Sequence, residues 1–190
     1  MKVKNCPILF YGKEFVFNSL LGCLVSKDAK GVGKSTQHKL HTDNPLKKAN
    51  IDAVNNPFKM ERRKRSDNWK SVRGASFAKL YARLVTRLCL HCYPLSRLLF
   101  LFRINIFENA GDASMFYYSV YPNMKQQQTL CLPRALFIAT TSRRFKQHGT
   151  MFIGAFLPTV RMHAWVVEDG MHADRFDNQW IYYQPVMMML

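Results

Sequence analysis

The sequence predicts an α+β fold in which a helix that carries a cysteine packs on an antiparallel sheet that carries a histidine and an aspartate, preceded by a small N-terminal region. An apolar pattern with helical spacing begins at Cys131, two apolar runs typical of strands follow it, and a two-residue turn signal precedes Asp174. With 190 residues, 48% of them hydrophobic, the chain is long enough for one ordinary core and a small extra module.

The chain divides into three parts: an N-terminal region at 1–58, a basic linker at 59–76, and the domain with the cysteine at 77–190. Within the first part, residues 7–18 predict a β-hairpin. The third part opens with apolar residues at helical spacing over 77–88, which predicts an amphipathic helix that ends before the next proline.

A helix is predicted to start at or just after Cys131. Pro133 is tolerated in a first helical turn, and the basic residues ahead of Gly149 suit a helix C-terminus. Apolar residues recur at helical spacing at Leu132, Ala135, Leu136 and Ala139. A thiol is a nucleophile only as thiolate, and a helix N-terminus beside an imidazole favours the thiolate.

Two strands are predicted after this helix, at 150–157 and 161–167, with Pro158 between them. Asp169-Gly170 is a strong signal for a two-residue hairpin turn. That turn would pair Glu168 with Met171, Val167 with His172, Trp165 with Asp174, and His163 with Phe176.

In this register His163 and Asp174 share a face of the sheet and lie diagonally, about 7–8 Å apart, which the two side chains can bridge. Cys131, His163 and Asp174 would then form a nucleophile, a general base and the carboxylate that orients the base. The alternative is structural: a cysteine on an apolar helix can be a small buried hydrophobe, and a histidine on a strand can be a satisfied core residue.

The segment Cys-Leu-Pro-Arg-Ala-Leu, followed by His-Ala-Trp-Val, a short turn and an aspartate, resembles the lasso peptide maturation proteases, the B proteins typified by the microcin J25 processing enzyme. The match covers about Thr129 to Phe176, a quarter of the chain. The resemblance implies a transglutaminase-like, papain-like cysteine protease core with Cys131 as nucleophile, His163 as base and Asp174 as orienter. The family often has Val-Glu-Val before the turn, and a turn displaced by one residue would make Asp177 the orienter.

The resemblance also implies an activity and partners. A B protein removes the leader from a ribosomally made antibiotic precursor, typically after a threonine, and an asparagine-synthetase-like cyclase that uses ATP then closes the ring. The precursor, the cyclase and often an exporter are the expected partners, and proteolysis itself needs no cofactor. Some family members hold the leader as an added strand on an N-terminal module, for which the hairpin at 7–18 is a candidate.

Five cysteines, an odd number, argue against a disulfide framework and favour a reducing, cytoplasmic compartment. Cys89 and Cys92 have metal-ligand spacing without a second pair of ligands, so no metal site is predicted. The apolar run at 98–106 is interrupted by Arg103 and is too short to cross a bilayer, so no transmembrane segment is predicted.

The net charge is +16, and its densest basic run, from Lys59 to Arg65, would suit an anionic partner. We read this run as a solvated linker and expect no nucleic-acid partner. Two alternatives to a leader peptidase remain open: another acyl transferase or amidase of the same fold, and a basic, non-enzymatic nucleic-acid-binding protein. The amides of Gln126, Gln127 and Gln128 are candidates for a second oxyanion donor beside the backbone N–H of Cys131.

Overall fold

Helices and two antiparallel sheets make up the described part of the chain, which confirms the α+β class. The structure is a computed structural model. It describes residues 3–6, 8–10, 13–18, 23–27, 74–92, 95, 98–99, 104–123, 130–156, 161–174 and 179–189.

The larger sheet has five antiparallel strands in the order β1-β8-β5-β6-β7. The predictions for the strands at 150–157 and 161–167 are confirmed to within a residue at either end. The five strands are β1 (Val3–Asn5), β5 (Gly149–Phe156), β6 (Arg161–Glu168), β7 (Met171–His172) and β8 (Gln184–Met189).

A two-residue turn joins β6 to β7, as predicted. Asp169 and Gly170 both have positive φ, 52° and 70°, which is the conformation that a type I′ hairpin turn requires. Glu168 pairs with Met171 and Val167 pairs with His172, in the predicted register.

The pairing predicted between Trp165 and Asp174 is wrong, because strand β7 ends at His172. The Asp174 N–H donates to the Nδ1 atom of His172 at 3.1 Å, and such local side-chain bonds compete with a sheet ladder. Asp174 therefore lies in the loop that follows β7. Phe176, the residue predicted to pair with His163, lies outside the described residues.

Helix α1 (Ala75–His91) confirms the predicted helix over 77–88, but only part of its predicted apolar face is buried. Ala78, Tyr81, Ala82, Val85 and Thr86 lie in the core. Phe77, Leu80 and Leu84, which the pattern assigned to the apolar face, are 50%, 65% and 47% exposed. The small side chains of Ala78 and Ala82 are fully buried, and residues of this size permit close approach of a neighbouring element.

Helix α3 (Cys131–Thr141) lies at the centre of the helical layer, after α2 (Ala110–Val120). Every residue of α3 from Pro133 to Thr141 is buried. The ring of Phe137, halfway along α3, packs against the rings of Tyr81, Phe107, Phe116 and Tyr117.

Helix α3 ends before the basic residues that were expected to close it. The hydroxyls of Thr140 and Thr141 bond the carbonyls of Leu136 and Phe137, and Ser142 is extended. A separate short helix, α4 (Phe145–His148), then leads into β5.

The smaller sheet consists of three antiparallel strands and contains the predicted hairpin. Its strands are β2 (Ile8–Phe10), β3 (Lys13–Asn18) and β4 (Cys23–Lys27). Strand β1 instead pairs with β8, so the first strand of the chain is part of the larger sheet. The basic run at 59–65 lies outside the described residues.

The two faces of the larger sheet bury different residues. Ala164 and Val166 of β6 belong to the core beneath the helices. Trp165 and Val167 alternate with them and pack on the opposite face against Phe152 and Trp180.

Gly154 makes room for the ring of Trp165. A Cβ atom at this position would lie 2.7 Å from Cη2 of Trp165 and 3.0 Å from the carbonyl oxygen of Gln184. We expect Gly154→Ala to lower the free energy of unfolding by about 1–3 kcal/mol, because a packed ring and a backbone oxygen must move. Urea unfolding beside the exposed substitution Lys146→Ala measures this, and equal midpoints for the two variants would contradict it.

Candidate active site

Cys131 is the first residue of α3, where the sequence places it. No side chain caps this helix end, and the first turn contains no acidic residue. The partial positive charge of the helix N-terminus therefore has no protein anion in its first turn to neutralise it. Cys131 is partly exposed, whereas the residues from Pro133 onward are buried. A thiolate at this point would be stabilised by the helix and remain reachable from outside.

The sulfur of Cys131 lies beside the edge of β6 that β7 leaves uncovered. The carbonyl of Val166 accepts from the N–H of Ala173, so the polar groups of Val166 point away from β5. Because these directions alternate with period two, those of Ala164 point the same way. The backbone N–H of Ala164 donates to Cys131 there.

His163, next to Ala164 on β6, forms a side-chain hydrogen bond with Cys131. The structure thus brings together two of the three predicted site residues, which lie 32 positions apart in the sequence. Burial of the thiol acts to raise its pKa. The hydrogen bond and positive charge of His163, the Ala164 N–H and the Arg134 cation outweigh that burial, so the pKa of Cys131 is lowered from its ordinary value.

Two aromatic rings hold the imidazole of His163. Trp165 stacks against it with centroids 5.9 Å apart, and Tyr183 lies at 5.0 Å with a tilt of 36°. His163 is 6% exposed. These flat contacts restrict rotation of the ring and keep bulk water from most of its surface, while the edge of the ring contacts the sulfur.

Asp174 is buried, with 3% of its surface exposed. Its Oδ2 atom accepts from the hydroxyl of Tyr118 at 2.6 Å and lies 2.8 Å from Nε of Arg134. The guanidinium of Arg134 also lies over the Tyr118 ring, 5.0 Å from its centroid. Asp174 thus joins a buried polar cluster that includes a residue of the cysteine helix. Its role as orienter of His163 stays a prediction.

Sequence reasoning missed both partners of Asp174. Arg134 stands three residues after Cys131 in an otherwise apolar helical pattern, and a charge at such a position is a signal of a buried ion pair. Tyr118 comes from α2 and no local pattern distinguishes it. The fallback orienter Asp177 and the amides at 126–128 lie outside the described residues.

A second buried carboxylate, Glu168, anchors the far end of β6. Its oxygens accept from the backbone N–H of Ala110 at 2.8 Å and from the hydroxyl of Ser142 at 2.6 Å. Ala110 begins α2, and Ser142 caps the end of α3. Glu168 therefore fixes β6 to both helices that contribute to the Asp174 cluster.

Comparisons with protein-family models, with curated proteins and with solved structures found no match to this chain. Among the residues that the structure describes, no helix is long and apolar enough to cross a bilayer. Within the same residues, no group of three or more His, Cys, Asp or Glu side chains is placed to hold a metal ion.

The pKa of Cys131 depends on His163. A lowered pKa keeps the thiolate populated at pH values where an ordinary thiol is protonated, and the thiolate is lost as pH falls through that lowered value. We expect His163→Ala to raise the pKa of Cys131, because burial then lacks its main opposing contribution. Alkylation of Cys131 by iodoacetamide at pH 7 should slow about tenfold or more, since one pKa unit is tenfold in thiolate.

Mass spectrometry resolves this alkylation at each cysteine over a range of pH. His148→Ala is the matched control, because its side chain is 56% exposed. If the two variants alkylate Cys131 with the same pH profile, the hydrogen bond with His163 does not control the thiol.

Proposed function

We propose that this chain is a cysteine peptidase that removes the leader from a ribosomally made lasso peptide precursor. Cys131 is the nucleophile, His163 the general base and acid, and Asp174 the orienter. The observation that carries the proposal is the Cys131–His163 hydrogen bond at the start of α3, with the pKa of the thiol lowered. The sequence motifs around both residues resemble those of the lasso peptide proteases, and this resemblance supports the substrate class.

The chemistry follows from this pair. The Cys131 thiolate attacks the carbonyl at the end of the leader and forms a C–S bond, while His163 holds the proton taken from the thiol. His163 gives that proton to the leaving nitrogen, the peptide C–N bond breaks, and the core peptide departs with a free amine. Water then attacks the thioester with His163 as base and releases the leader carboxylate.

The developing oxyanion needs two donors. The backbone N–H of Cys131, in the uncapped first turn of α3, is one available donor. A glutamine amide from 126–128 is proposed as the second. Both act on a charge that exists only during acyl transfer, which is where binding energy accelerates the reaction.

The architecture is compatible with a transglutaminase-like core, in which a helix that begins with the cysteine lies against a strand that carries the histidine. The amine freed by cleavage is the substrate of the proposed partner, a cyclase that uses ATP to join it to a side-chain carboxylate. The sheet of β2, β3 and β4 is proposed to hold the leader as an added strand. The odd number of cysteines, five, suits the proposed cytoplasmic location.

We expect Cys131→Ala to abolish leader removal and leave the fold intact, because loss of a nucleophile typically removes several powers of ten in rate. The assay incubates the protein with a synthetic leader–core peptide and follows both fragments by mass spectrometry. Cys92→Ala, a partly buried thiol outside the site, is the control and should cleave normally.

Full cleavage by Cys131→Ala would end the peptidase proposal. An added primary amine distinguishes the related activity: capture of the leader as an amide in preference to hydrolysis would identify an acyl transferase that uses the same thioester.

We expect Asp174→Asn to lower kcat by about 10²–10⁴, because the neutral amide favours the wrong imidazole tautomer and does not stabilise the imidazolium. Asp177→Asn is the matched comparison, since Asp177 is the alternative orienter. Near-normal cleavage by Asp174→Asn together with an inactive Asp177→Asn would assign the orienter to Asp177. Circular dichroism of each variant establishes that it is folded.

A further inference from the structure

We infer that Arg134 and Tyr118 are positioning residues of this site: together they bind one oxygen of Asp174 and so hold its carboxylate charged and oriented toward His163. This inference rests on the proposed function, which assigns Asp174 to His163. It adds two residues that act through Asp174, one of which, Arg134, also lowers the pKa of Cys131 through its own charge.

Arg134 and Asp174 form a buried ion pair. Their side chains are 6% and 3% exposed, so neither charge is solvated by bulk water. A buried carboxylate becomes neutral unless a cation or several donors compensate it. A neutral Asp174 would not stabilise an imidazolium. The Nε–Oδ2 contact of 2.8 Å supplies the compensating cation.

Tyr118 and Arg134 both contact the same oxygen of Asp174. Tyr118 donates its hydroxyl proton to Oδ2 at 2.6 Å, and Nε of Arg134 also lies within hydrogen-bond distance of Oδ2. Two donors on one carboxylate oxygen fix the rotation of the group about its C–C bond.

Tyr118 also restrains Arg134. Its ring lies under the guanidinium at 5.0 Å, so one tyrosine supplies a hydrogen bond to the anion and a flat surface to the cation. The three groups form a closed cluster in which each touches the other two. Loss of one member therefore loosens both of the others.

The three residues of this cluster come from different elements of the fold. Arg134 lies one turn after Cys131 on α3, Tyr118 lies on α2, and Asp174 lies in the loop after β7. A movement of α3 that displaced the nucleophile would also displace the cation that holds the orienter. Among the residues that the structure describes, Arg134 and Tyr118 contact the carboxylate, His172 contacts the backbone of Asp174, and His163 lies on the neighbouring strand β6.

Tyr118→Phe is the most informative variant, because it removes one hydroxyl and keeps the ring under Arg134. We expect kcat for leader cleavage to fall about 10- to 100-fold with KM unchanged. The acid limb of the pH–rate profile should move to higher pH, because a less well oriented His163 lowers the pKa of Cys131 less. Tyr182→Phe is the matched control, since Tyr182 is 67% exposed.

Arg134 is tested by Arg134→Met and Arg134→Lys. The lysine retains the positive charge, so it should recover part of the rate and of the pH profile that the methionine loses; a role in packing alone would favour the methionine or neither. Arg83→Met controls for removal of an exposed arginine. Thermal unfolding of each variant identifies losses that arise from instability.

Alkylation of Cys131 provides a readout that needs no peptide substrate. We expect its pH profile in Tyr118→Phe to move to higher pH, as the rate profile does. Profiles and rates that match wild type in both Tyr118→Phe and Arg134→Lys would overturn the inference. If the wild-type protein cleaves no leader but the alkylation profile of Tyr118→Phe is still shifted, the positioning role stands and only the proposed substrate is lost.

Discussion

The burial of α3 beyond its first two residues is the constraint on which the rest of the structure depends. From Pro133 to Thr141 this helix has no exposed residue, and the other helices and the larger sheet close around it. A helix fixed on every side cannot rotate or slide without opening the core, which is packed as densely as an organic crystal. The position of Cys131 is therefore determined by apolar packing below it. Reactivity is confined to the one end of α3 that remains partly open.

Strand β6 brings the second half of the site to that end. Its side chains pack beneath the helices on one face and against Phe152 and Trp180 on the other. The edge that β7 leaves uncovered offers the Ala164 N–H to the sulfur. A single strand thus supplies packing through side chains and a polar contact through its backbone. Glu168 secures its far end to α2 and α3. The separation of the thiol and the imidazole is then set by rigid elements, and no long loop is involved.

Local signals in the sequence were sufficient for the cysteine helix, the two central strands and the turn. Cys131 opens an apolar helical pattern, and Asp169-Gly170 permits the positive φ values that the turn needs. The position of Asp174 was not predictable in this way, because a bond from its own N–H to the His172 side chain ends the strand early. Tyr118 and Arg134 meet Asp174 through tertiary packing, and no pattern within one segment encodes a contact across 56 residues. The apolar pattern of α1 was only partly sufficient: Tyr81 and Val85 are buried, whereas Leu80 and Leu84 of the same pattern are exposed.

The pairing of β1 with β8 also has a consequence for how the chain folds. Residues 3–5 pair with 187–189, so almost the whole sequence separates the two strands. During synthesis the first strand must wait until the last has left the ribosome, and contacts of such high sequence separation form late. Until β1 pairs, the backbone of Met187, Met188 and Met189 on β8 is an open sheet edge, which is a template for pairing with another chain. Once β1 is in place, the strand at this edge of the larger sheet is only three residues long, and a short edge strand is a poor template for such pairing.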